Sequence, residues 1–418
     1  MTRVKHIYSC VDIGSDTIKV VVCELFKNKL NLLAASSVKS KGIKKGLITD
    51  IEAASTSLKK ALNEVEEMLG IKIKKIMASV PSYFAEFNVI NGEVKVSGEE
   101  SIIEGEDVIN ALQVAMRTKQ DNSREMVTII PIDFRVDDKT GIKEPKGLVG
   151  SKLGARAVMV TTQKKNVYSV VSLIENVGVE VVDISLNSIG DIYAFKTKEM
   201  EEKIGAIINI GSETTSVSLY NKGIIVKNSI IQLGGKNIDN DIAYMYKIDT
   251  LTALKMKEKF ALAHKKYANV SDTYEITGSD NVIFKINQFE VSEIVMARIE
   301  EILTLAKKEI GLLTNKPIEY VIITGGVSNM AHFEYIADQV FGKDASIGNV
   351  KLVGIRNNKY SSAVGNIVYF INKLKLKGQD YTMVSDNYAE ELSSTRKNIV
   401  NISNDSMLGK VFGYFFGE

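Results

Sequence analysis

The fold is decided by residues 7–23, IYSCVDIGSDTIKVVVC, and by a near copy of them at residues 206–219, AIINIGSETTSVSL. In both copies an apolar run ends in Asp or Asn, a glycine follows two residues later (Gly14 or Gly211), and a short polar turn leads into a second run of β-branched residues. This pattern predicts a β-hairpin, and a turn of small residues points several backbone N–H groups at one anionic oxygen. One copy alone is equally typical of an ordinary hairpin. Two copies in matching frame predict two turns that hold one polyphosphate from both sides of a cleft.

The composition is that of a globular protein of two or three domains, because 418 residues exceed one ordinary core. The 53 basic and 51 acidic side chains nearly cancel, so the net charge gives no reason to expect nucleic acid as a partner. No run of about 18 apolar residues and no signal-peptide pattern occurs, so we expect the body of the protein to be neither exported nor membrane-spanning. Cys10 and Cys23 lie in the apolar runs of the first hairpin and are interpreted as buried residues in a reducing cytoplasm. The histidines have no Cys or His neighbour at metal-ligand spacing, so a zinc site is not expected.

The rest of the chain alternates strands and helices in two blocks, with a segment of different texture inside the first. An amphipathic helix is predicted over residues 51–69, between Asp50 and Gly70. Residues 82–162 alternate apolar and polar positions around one helix, which indicates a small inserted α+β unit. The other predicted elements are strands at 25–37, 76–80, 179–184, 224–233 and 320–324, a polar hairpin at 271–286, and helices at 163–177, 187–195, 239–246, 250–264, 289–310 and 362–374.

The two turns suggest specific chemistry if they hold a nucleotide. Lys19, on the strand that leaves the first turn, can then point at the β or γ phosphate, and Asp12 can hold Mg²⁺ through water. The alternative for Lys19 is an ordinary strand lysine. Gly325 and Gly326 directly follow a predicted buried strand, where they offer a flat backbone surface for an adenine or a ribose.

Three motifs carry a resemblance to a known superfamily. DIGSDTIK at 12–19, NIGSETT at 209–215 and ITGGV at 323–327 resemble the first phosphate, second phosphate and adenosine motifs of the actin-like ATPases, which include sugar kinases, heat-shock chaperones and bacterial actins. Within this superfamily the chain is similar to the FtsA family of bacterial cell-division proteins over nearly its whole length. The matching stretches are GIKKGLITDIE at 42–52, IIPIDFRVD at 129–137, GIKEPKG at 141–147, IQLGG at 231–235 and an amphipathic C-terminal tip.

The resemblance implies an α/β, bilobed actin-like (ribonuclease H-like) fold with an inserted small α+β domain. The implied parts are a first lobe of residues 1–81, 163–200 and 360–374, the inserted domain of 82–162, a second lobe of 201–359 with its outer subdomain at 235–318, a flexible linker at 375–404 and a membrane-targeting amphipathic helix at 405–418.

The resemblance also implies that ATP and Mg²⁺ bind between the lobes, with Asp12 toward the metal. Transferred position by position, the implied nucleotide contacts are Asp12, Gly14, Ser15, Asp16, Lys19, Gly211, Ser212, Glu213, Thr214, Thr215, Gly234, Gly235, Lys257, Gly325, Gly326 and Val327.

The chain departs from the superfamily pattern at three positions. Asn209 stands where the second phosphate motif usually has Asp, and Asn187 stands where related bacterial actins usually have a Glu that orients the attacking water. Leu254 stands where a Glu usually meets the nucleoside, although Lys257 fits the matching Lys. Because two carboxylates are missing, we expect nucleotide binding with very slow or absent hydrolysis, and no catalytic residue is assigned.

The family resemblance implies four kinds of partner. The C-terminal peptide of the tubulin-like protein FtsZ would dock on the second lobe at Arg298 and Glu301, which are otherwise solvated helix charges. Other copies of the chain would add head to tail, and later division proteins would bind the inserted domain. The last residues would anchor the protein to the cytoplasmic face of the cell membrane at the division site, through Leu408, Val411, Phe412, Phe415 and Phe416.

Other interpretations stay open at this point. Because Lys410 is the only cation of the tip, attraction to anionic lipid should be weak, and a helix that docks back on the protein is the alternative for the tip. A small-molecule kinase of the same superfamily is a second candidate function, although the sequence shows no base for a substrate hydroxyl. A scaffold for pilus assembly with the same fold is a third, and fold alone does not separate them.

Overall fold

The computed structural model of the chain describes residues 6–97, 99–117, 123–277 and 283–384. Its first lobe is built on a five-stranded sheet with the order β11-β6-β1-β2-β3. The strands of this sheet are β1 (His6–Ile13), β2 (Thr17–Phe26), β3 (Lys29–Lys39), β6 (Lys75–Val80) and β11 (Glu180–Leu186).

The second lobe repeats this arrangement. Its sheet has the order β18-β17-β12-β13-β14, in which an antiparallel meander is again followed by two parallel strands. Its strands are β12 (Ile204–Ile210), β13 (Thr215–Asn221), β14 (Ile224–Ile231), β17 (Tyr320–Thr324) and β18 (Ala345–Ile347). The two copies of the quoted stretch therefore occupy equivalent places, β1–β2 and β12–β13, in two sheets of the same topology.

Two helices separate the sheets, and two others cover the first sheet. α1 (Ile51–Leu69) and α3 (Lys164–Glu175) pack side by side on the first sheet, while α4 (Asn187–Phe195) and α9 (Ser361–Lys377) lie against each other between the lobes. Tyr220 of β13 reaches this layer, since its hydroxyl donates to the carbonyl of Ser188 at 2.6 Å. The predicted ends of α1 are confirmed, because Asp50 accepts hydrogen bonds from the N–H groups of residues 52 and 53, and Gly70 is left-handed.

The inserted unit has its own sheet and its own core. Its sheet has the order β7-β10-β8-β9 and is covered by one helix. The elements are β7 (Glu86–Lys95), α2 (Gly105–Met116), β8 (Arg124–Val136), β9 (Lys139–Ile142) and β10 (Lys152–Gln163). It is tied to the first lobe where Thr128 of β8 hydrogen-bonds the Tyr369 hydroxyl of α9 at 2.7 Å.

The second lobe carries its helices around a separate apolar core. The long helix α7 is the centre of this core, because Val291, Val295 and Ile299 on one of its faces are fully buried. The elements are α5 (Gly235–Tyr246), α6 (Thr250–Lys259), the hairpin β15 (Thr273–Thr277) and β16 (Ile283–Asn287), α7 (Gln288–Leu313) and α8 (Phe333–Phe341). The short hairpin β4 (Ile43–Lys44) and β5 (Leu47–Ile48) precedes α1.

The structure differs from the sequence prediction in several places. α6 ends at Lys259 rather than at residue 264, because the chain there bonds to a neighbouring loop through the Ala263 N–H and the Ala331 carbonyl at 3.0 Å. α8 and β18 were not predicted, although Phe333, Ile336 and Ala337 have helical spacing and are buried. β18 has three residues, too few to show a period.

The chain after residue 374 also differs from the predicted linker. α9 continues to Lys377, Gly378 caps it in a left-handed conformation, and the following residues return to β1. There Met383 is buried, and its N–H donates to the Ile7 carbonyl at 2.8 Å. The predicted linker from residue 385 to 404 and the predicted membrane-targeting helix at 405–418 lie outside the described residues.

Within the part of the chain that the structure describes, every helix is too short or too polar to cross a bilayer.

Candidate functional site: a nucleotide cleft between the lobes

The two predicted turns have the same internal geometry. The Gly14 N–H donates to the Thr17 carbonyl at 3.1 Å, and the Gly211 N–H donates to the Thr214 carbonyl at 2.9 Å. Each turn thus closes over four residues between paired strands. A side chain at Gly211 would approach the Thr214 carbonyl to 3.0 Å, so glycine lets the turn close tightly.

The turns lie close to each other across the lobes, as predicted. Glu213 of the second turn accepts a hydrogen bond from the backbone N–H of Lys45 at 2.5 Å and a second one from Ser15 of the first turn. Ser15 in turn accepts from the Gly46 N–H at 2.6 Å. The loop between β4 and β5 therefore lies beside both turns, and it was not predicted to take part in the site.

Lys19 and Asp12 form one partly buried ion pair at the base of the first turn. They are directly paired across β1 and β2, and Lys19 Nζ lies 2.9 Å from Asp12 Oδ2. A Cβ atom at Gly14 would lie 3.0 Å from Lys19 Nζ, so the ammonium group is held beneath the turn itself. Lys19 is therefore placed beside the turn, as expected for a phosphate ligand. Mg²⁺ keeps most of its waters and takes one or two carboxylates besides phosphate oxygens, and Asp12 provides a carboxylate of this kind.

Gly234 and Gly235 brace the second turn from below. The Gly235 N–H donates to the Gly211 carbonyl at 2.9 Å, and the Lys236 N–H donates to the Ser212 carbonyl at 2.7 Å. A Cβ atom at Gly234 would lie 2.6 Å from both carbonyl oxygens. These contacts show why two glycines stand between β14 and α5: the start of α5 packs directly on the turn.

Lys257 is buried against the start of α5 and is not exposed to solvent. Its Nζ lies 2.7 Å from Asp239 Oδ1 and donates to the Gly235 carbonyl at 3.1 Å. Burial raises the pKa of Asp239, against the opposing effect of the Lys257 ammonium, and Asp16 of the first turn raises it further. Asp16 and Asp239 thus lie close enough across the cleft for their carboxylates to repel each other.

The predicted adenosine motif divides into one packed and one open residue. Gly325 has φ +95°, and a Cβ atom there would lie 2.4 Å from the Ile210 carbonyl, so this glycine fits the motif against the second turn. Gly326 faces open space, with nothing within 4 Å of its Cβ position. Val327 packs against Gly235. Gly326 is therefore the residue of the pair that offers a flat free surface.

Thr215 and Asp16 use their polar groups within the protein. The Thr215 hydroxyl donates to the Leu233 carbonyl at 2.9 Å, and the Asp16 carboxylate pairs with Lys39. Thr215 is fully buried, and its side chain ties the end of the second turn to the chain that follows β14.

A buried carboxylate, Asp191 of α4, joins three elements at the base of the cleft. Asn209 Nδ2 donates to its Oδ2 at 2.7 Å, and the hydroxyls of Ser361 and Ser362 donate to its Oδ1 at 2.8 Å. Burial raises the pKa of Asp191 to about 6, although its three donors lower it, and Asp12 adds to the rise. Asn209, which lacks the usual charge, thus serves as the donor that links the second turn to the helix layer.

Asn187 is occupied at the start of α4. Its Oδ1 accepts hydrogen bonds from the Ser82 hydroxyl and from the Ser188 N–H, the latter at 2.8 Å. The side chain therefore accepts a hydrogen bond from a backbone N–H in the first turn of its own helix, which has no partner within the helix.

Sequence analysis missed several residues of the cleft. Lys359 lies close enough to Lys19 for their ammonium groups to repel each other. Burial and this repulsion lower the pKa of Lys359, while Glu258 and Asp16 raise it. The other missed residues are Lys45, Gly46, Asp191, Lys236, Asp239, Ser361 and Ser362. The adjacent serines before an apolar helix were the one local signal for a role of the α9 start.

The predicted FtsZ-binding residues Arg298 and Glu301 belong to a network of ion pairs between α5 and α7. The Arg298 guanidinium on α7 binds both carboxylate oxygens of Asp241 on α5, at 2.6 and 2.8 Å, and also pairs with Glu301. Hydrogen bonding to Asp241 raises the pKa of Arg298. The bidentate pair ties α5 to α7 and leaves the three side chains partly exposed.

Comparisons with known proteins identify the family. The family model described as "Cell division protein FtsA" matches residues 206–365, and the model described as "SHS2 domain inserted in FTSA" matches residues 85–161. Together they cover more than half of the chain, and the second match coincides with the inserted sheet. The chain belongs to the FtsA family of cell-division proteins.

Individual FtsA proteins are similar along most of their length. Cell division protein FtsA of Bacillus subtilis (strain 168) is 29% identical over 378 residues, which cover 90% of this chain and 86% of the relative. FtsA of Streptococcus pneumoniae serotype 2 is 29% identical over 362 residues, or 85% of this chain and 78% of the relative.

Solved structures confirm the actin-like fold. MreB5 of Spiroplasma citri bound to AMPPNP superposes with a TM-score of 0.55 at 15% identity, covering 89% of this chain and 99% of that one. A PilM-PilN type IV pilus biogenesis complex gives a TM-score of 0.57 at 15% identity, covering 87% and 97%. Such low identity supports the fold alone.

Proposed function

We propose that this FtsA-family protein binds ATP with Mg²⁺ between its lobes, polymerises, and ties FtsZ filaments to the cytoplasmic membrane. The observation that carries the nucleotide part is the approach of the two glycine turns, joined through Ser15 and Glu213, above the Lys19–Asp12 pair. The Lys19 ammonium, together with the backbone N–H groups of the two turns that are not used within the turns themselves, would provide the donors that a polyphosphate requires.

Hydrolysis would be very slow or absent. Fast phosphoryl transfer to water needs a group that orients the attacking water. Asn187 carries no charge, and its oxygen is engaged by Ser82 and Ser188. Asn209 faces Asp191 through its amide nitrogen. Neither side chain is thus placed to act as a base.

Calorimetric titration with ATP and Mg²⁺, beside a phosphate-release assay, tests both parts. We expect saturable binding and phosphate release no faster than the background. An absence of binding with Mg²⁺ would overturn the first part, and brisk turnover would overturn the second. Measuring ADP formation with a panel of sugars tests the kinase alternative, for which the phosphoryl group passes to the sugar and ADP should form with one sugar only.

The FtsZ tail would bind where α5, α6 and α7 meet. Tyr244 and Met245 lie one turn beyond Asp241 on α5 and are 87% and 62% exposed. Together with the Arg298–Asp241 pair they form an apolar surface next to charge, the usual make-up of a peptide-binding site. A labelled FtsZ tail peptide should bind the unmodified protein. Tyr244→Ala and Arg298→Met should each lower the affinity for this peptide at least tenfold.

Leu312→Ala is the matched control for this experiment, because Leu312 is 69% exposed at the far end of α7. Unchanged binding in all three variants would place the peptide elsewhere. Absence of peptide binding by the unmodified protein would favour the pilus-scaffold alternative.

A further inference from the structure

Glu213 is an anion inside a site proposed to receive anions. It belongs to the second turn, and its side chain is only 15% exposed. Three donors surround its carboxylate: the Lys45 N–H at 2.5 Å, the Ser15 hydroxyl, and Lys236 Nζ at 2.8 Å. Ser15 and Lys45 belong to the first lobe, whereas Lys236 belongs to the second.

These donors hold the carboxylate firmly in its charged form. Burial alone would raise the pKa of Glu213, yet the hydrogen bonds from Lys236, Lys45 and Ser15 lower it overall. A carboxylate of this kind is a poor proton acceptor, so it is unsuited to replace the missing water-orienting group. Its contacts are instead those of a bridge between residues 168 positions apart in the chain.

Neighbouring contacts show that the bridge is one part of a cross-lobe seam. The Gln232 side chain, at the end of β14, donates to the hydroxyl of Tyr83 at 3.1 Å, and Thr214 hydrogen-bonds the same hydroxyl. Tyr83 follows β6 of the first lobe. Among these contacts the one made by Glu213 carries a full charge, so it should contribute most.

We propose that Glu213 is a latch that holds the cleft closed without nucleotide and competes with the terminal phosphate of a nucleoside triphosphate. Ser15 is one of the predicted phosphate ligands, and its hydroxyl is already used by the carboxylate. A triphosphate that enters must either displace Glu213 from Ser15 and Lys45 or accept a like charge beside it. Both cost binding free energy. The competition rests on the proposed nucleotide binding, whereas the latch does not.

Distances between two spin labels test the latch in the full chain without nucleotide. Lys59 on α1 and Lys255 on α6 are exposed on opposite lobes and can be replaced by cysteine, while Cys10 and Cys23 are buried and stay unlabelled. We expect a narrow distance distribution in the otherwise unmodified protein. Glu213→Gln should broaden it and move it to longer distances, because the amide cannot keep three charge-assisted bonds.

Calorimetry of the same variant tests the competition. Glu213→Gln should bind ATP with Mg²⁺ at least tenfold more tightly than the unmodified protein. Glu309→Gln is the matched control, since Glu309 is a partly buried carboxylate of the second lobe whose contact with Ser229 stays within that lobe. It should change neither the distances nor the affinity.

The outcomes separate the two proposals. Unchanged distances in Glu213→Gln overturn the latch, and a longer distance with unchanged ATP affinity overturns the competition. If the distances lengthen but no variant binds ATP, the latch stands and the proposed nucleotide binding fails.

Discussion

Lys19 is the residue on which nucleotide binding should depend most directly. Its ammonium lies under the first turn and pairs with Asp12, so a phosphate bound to that turn would meet a cation whose position is already fixed. A charged hydrogen bond of this kind contributes ~2 kcal/mol. Lys19→Met should therefore weaken ATP binding by about ten- to a hundredfold, as measured by calorimetry.

Lys39→Met provides the control for Lys19. Lys39 pairs with Asp16 on the exposed edge of the same sheet, so this change also removes an ion pair from the first turn. We expect ATP affinity within about threefold of the unmodified protein, because exposed pairs contribute little. Equal losses in the two variants would show that only the general charge of the lobe matters.

Asp191 should give the protein an unusual dependence of stability on pH. Its pKa is about 6 in the folded protein, above the ordinary value of 3.8, so the folded state binds a proton that the unfolded state has released. Its contribution to stability is therefore greatest at low pH and is lost as the pH rises through 6. Between pH 5 and 7.5 the loss should be ~1 kcal/mol.

Urea unfolding of the protein and of Asp191→Asn isolates this effect from other carboxylates. The difference in unfolding free energy between the two should change by ~1 kcal/mol over that pH range, because the unmodified protein becomes less stable relative to Asp191→Asn as the pH rises. Parallel pH profiles would contradict a raised pKa at Asp191.

At the scale of elements, the crossing of α4 and α9 sets how closely the lobes can approach. The helices touch at two glycines: a Cβ atom at Gly365 would lie 1.7 Å from the Gly190 carbonyl oxygen. Gly365→Ala must therefore push the helices apart and should lower the unfolding free energy by about 3 kcal/mol. The expected readout is a lower urea midpoint with an unchanged slope.

Gly311→Ala controls for helix propensity in this experiment. Gly311 lies within α7, and its Cβ position has nothing within 4 Å. Because alanine favours a helix over glycine, this variant should be more stable by ~0.5–1 kcal/mol. Gly365→Ala with the stability of Gly311→Ala would mean that the crossing can relax at no cost.

The elements that sequence predicted are those whose signals are local. The paired hairpins, the cap of α1 by Asp50 and Gly70, and the long helix α7 all follow from patterns within about twenty residues. Apart from α8, whose helical spacing is a local signal, the main features it missed depend on distant contacts. The Glu213–Lys45 bridge and the hub at Asp191 form only when the two lobes meet, and residues 379–384 are ordered by their contact with β1 at the other end of the chain.

For the whole molecule, the two lobes have the same strand order and differ in what is attached to them. The first lobe carries the inserted domain, and the second carries α5, α6 and α7. Each of the duplicated sheets supplies one glycine turn to the cleft between them. The attachments give the lobes different outer surfaces, which the proposed head-to-tail addition of copies would require.

Membrane attachment should depend on assembly as well as on the C-terminal tip. In the predicted helix, the apolar face is formed by Leu408, Val411, Phe412 and Phe415, with Lys410 as the single cation. One such helix binds weakly, whereas a filament presents many at once. The fraction of full-length protein that pellets with liposomes should rise steeply once filaments form, and a chain ending at residue 404 should stay in solution.

Phe412→Asp on the apolar face should abolish pelleting, while Gly413→Asp on the opposite face should weaken it only slightly. Equal pelleting of the full-length and shortened chains would rule out the tip as the anchor.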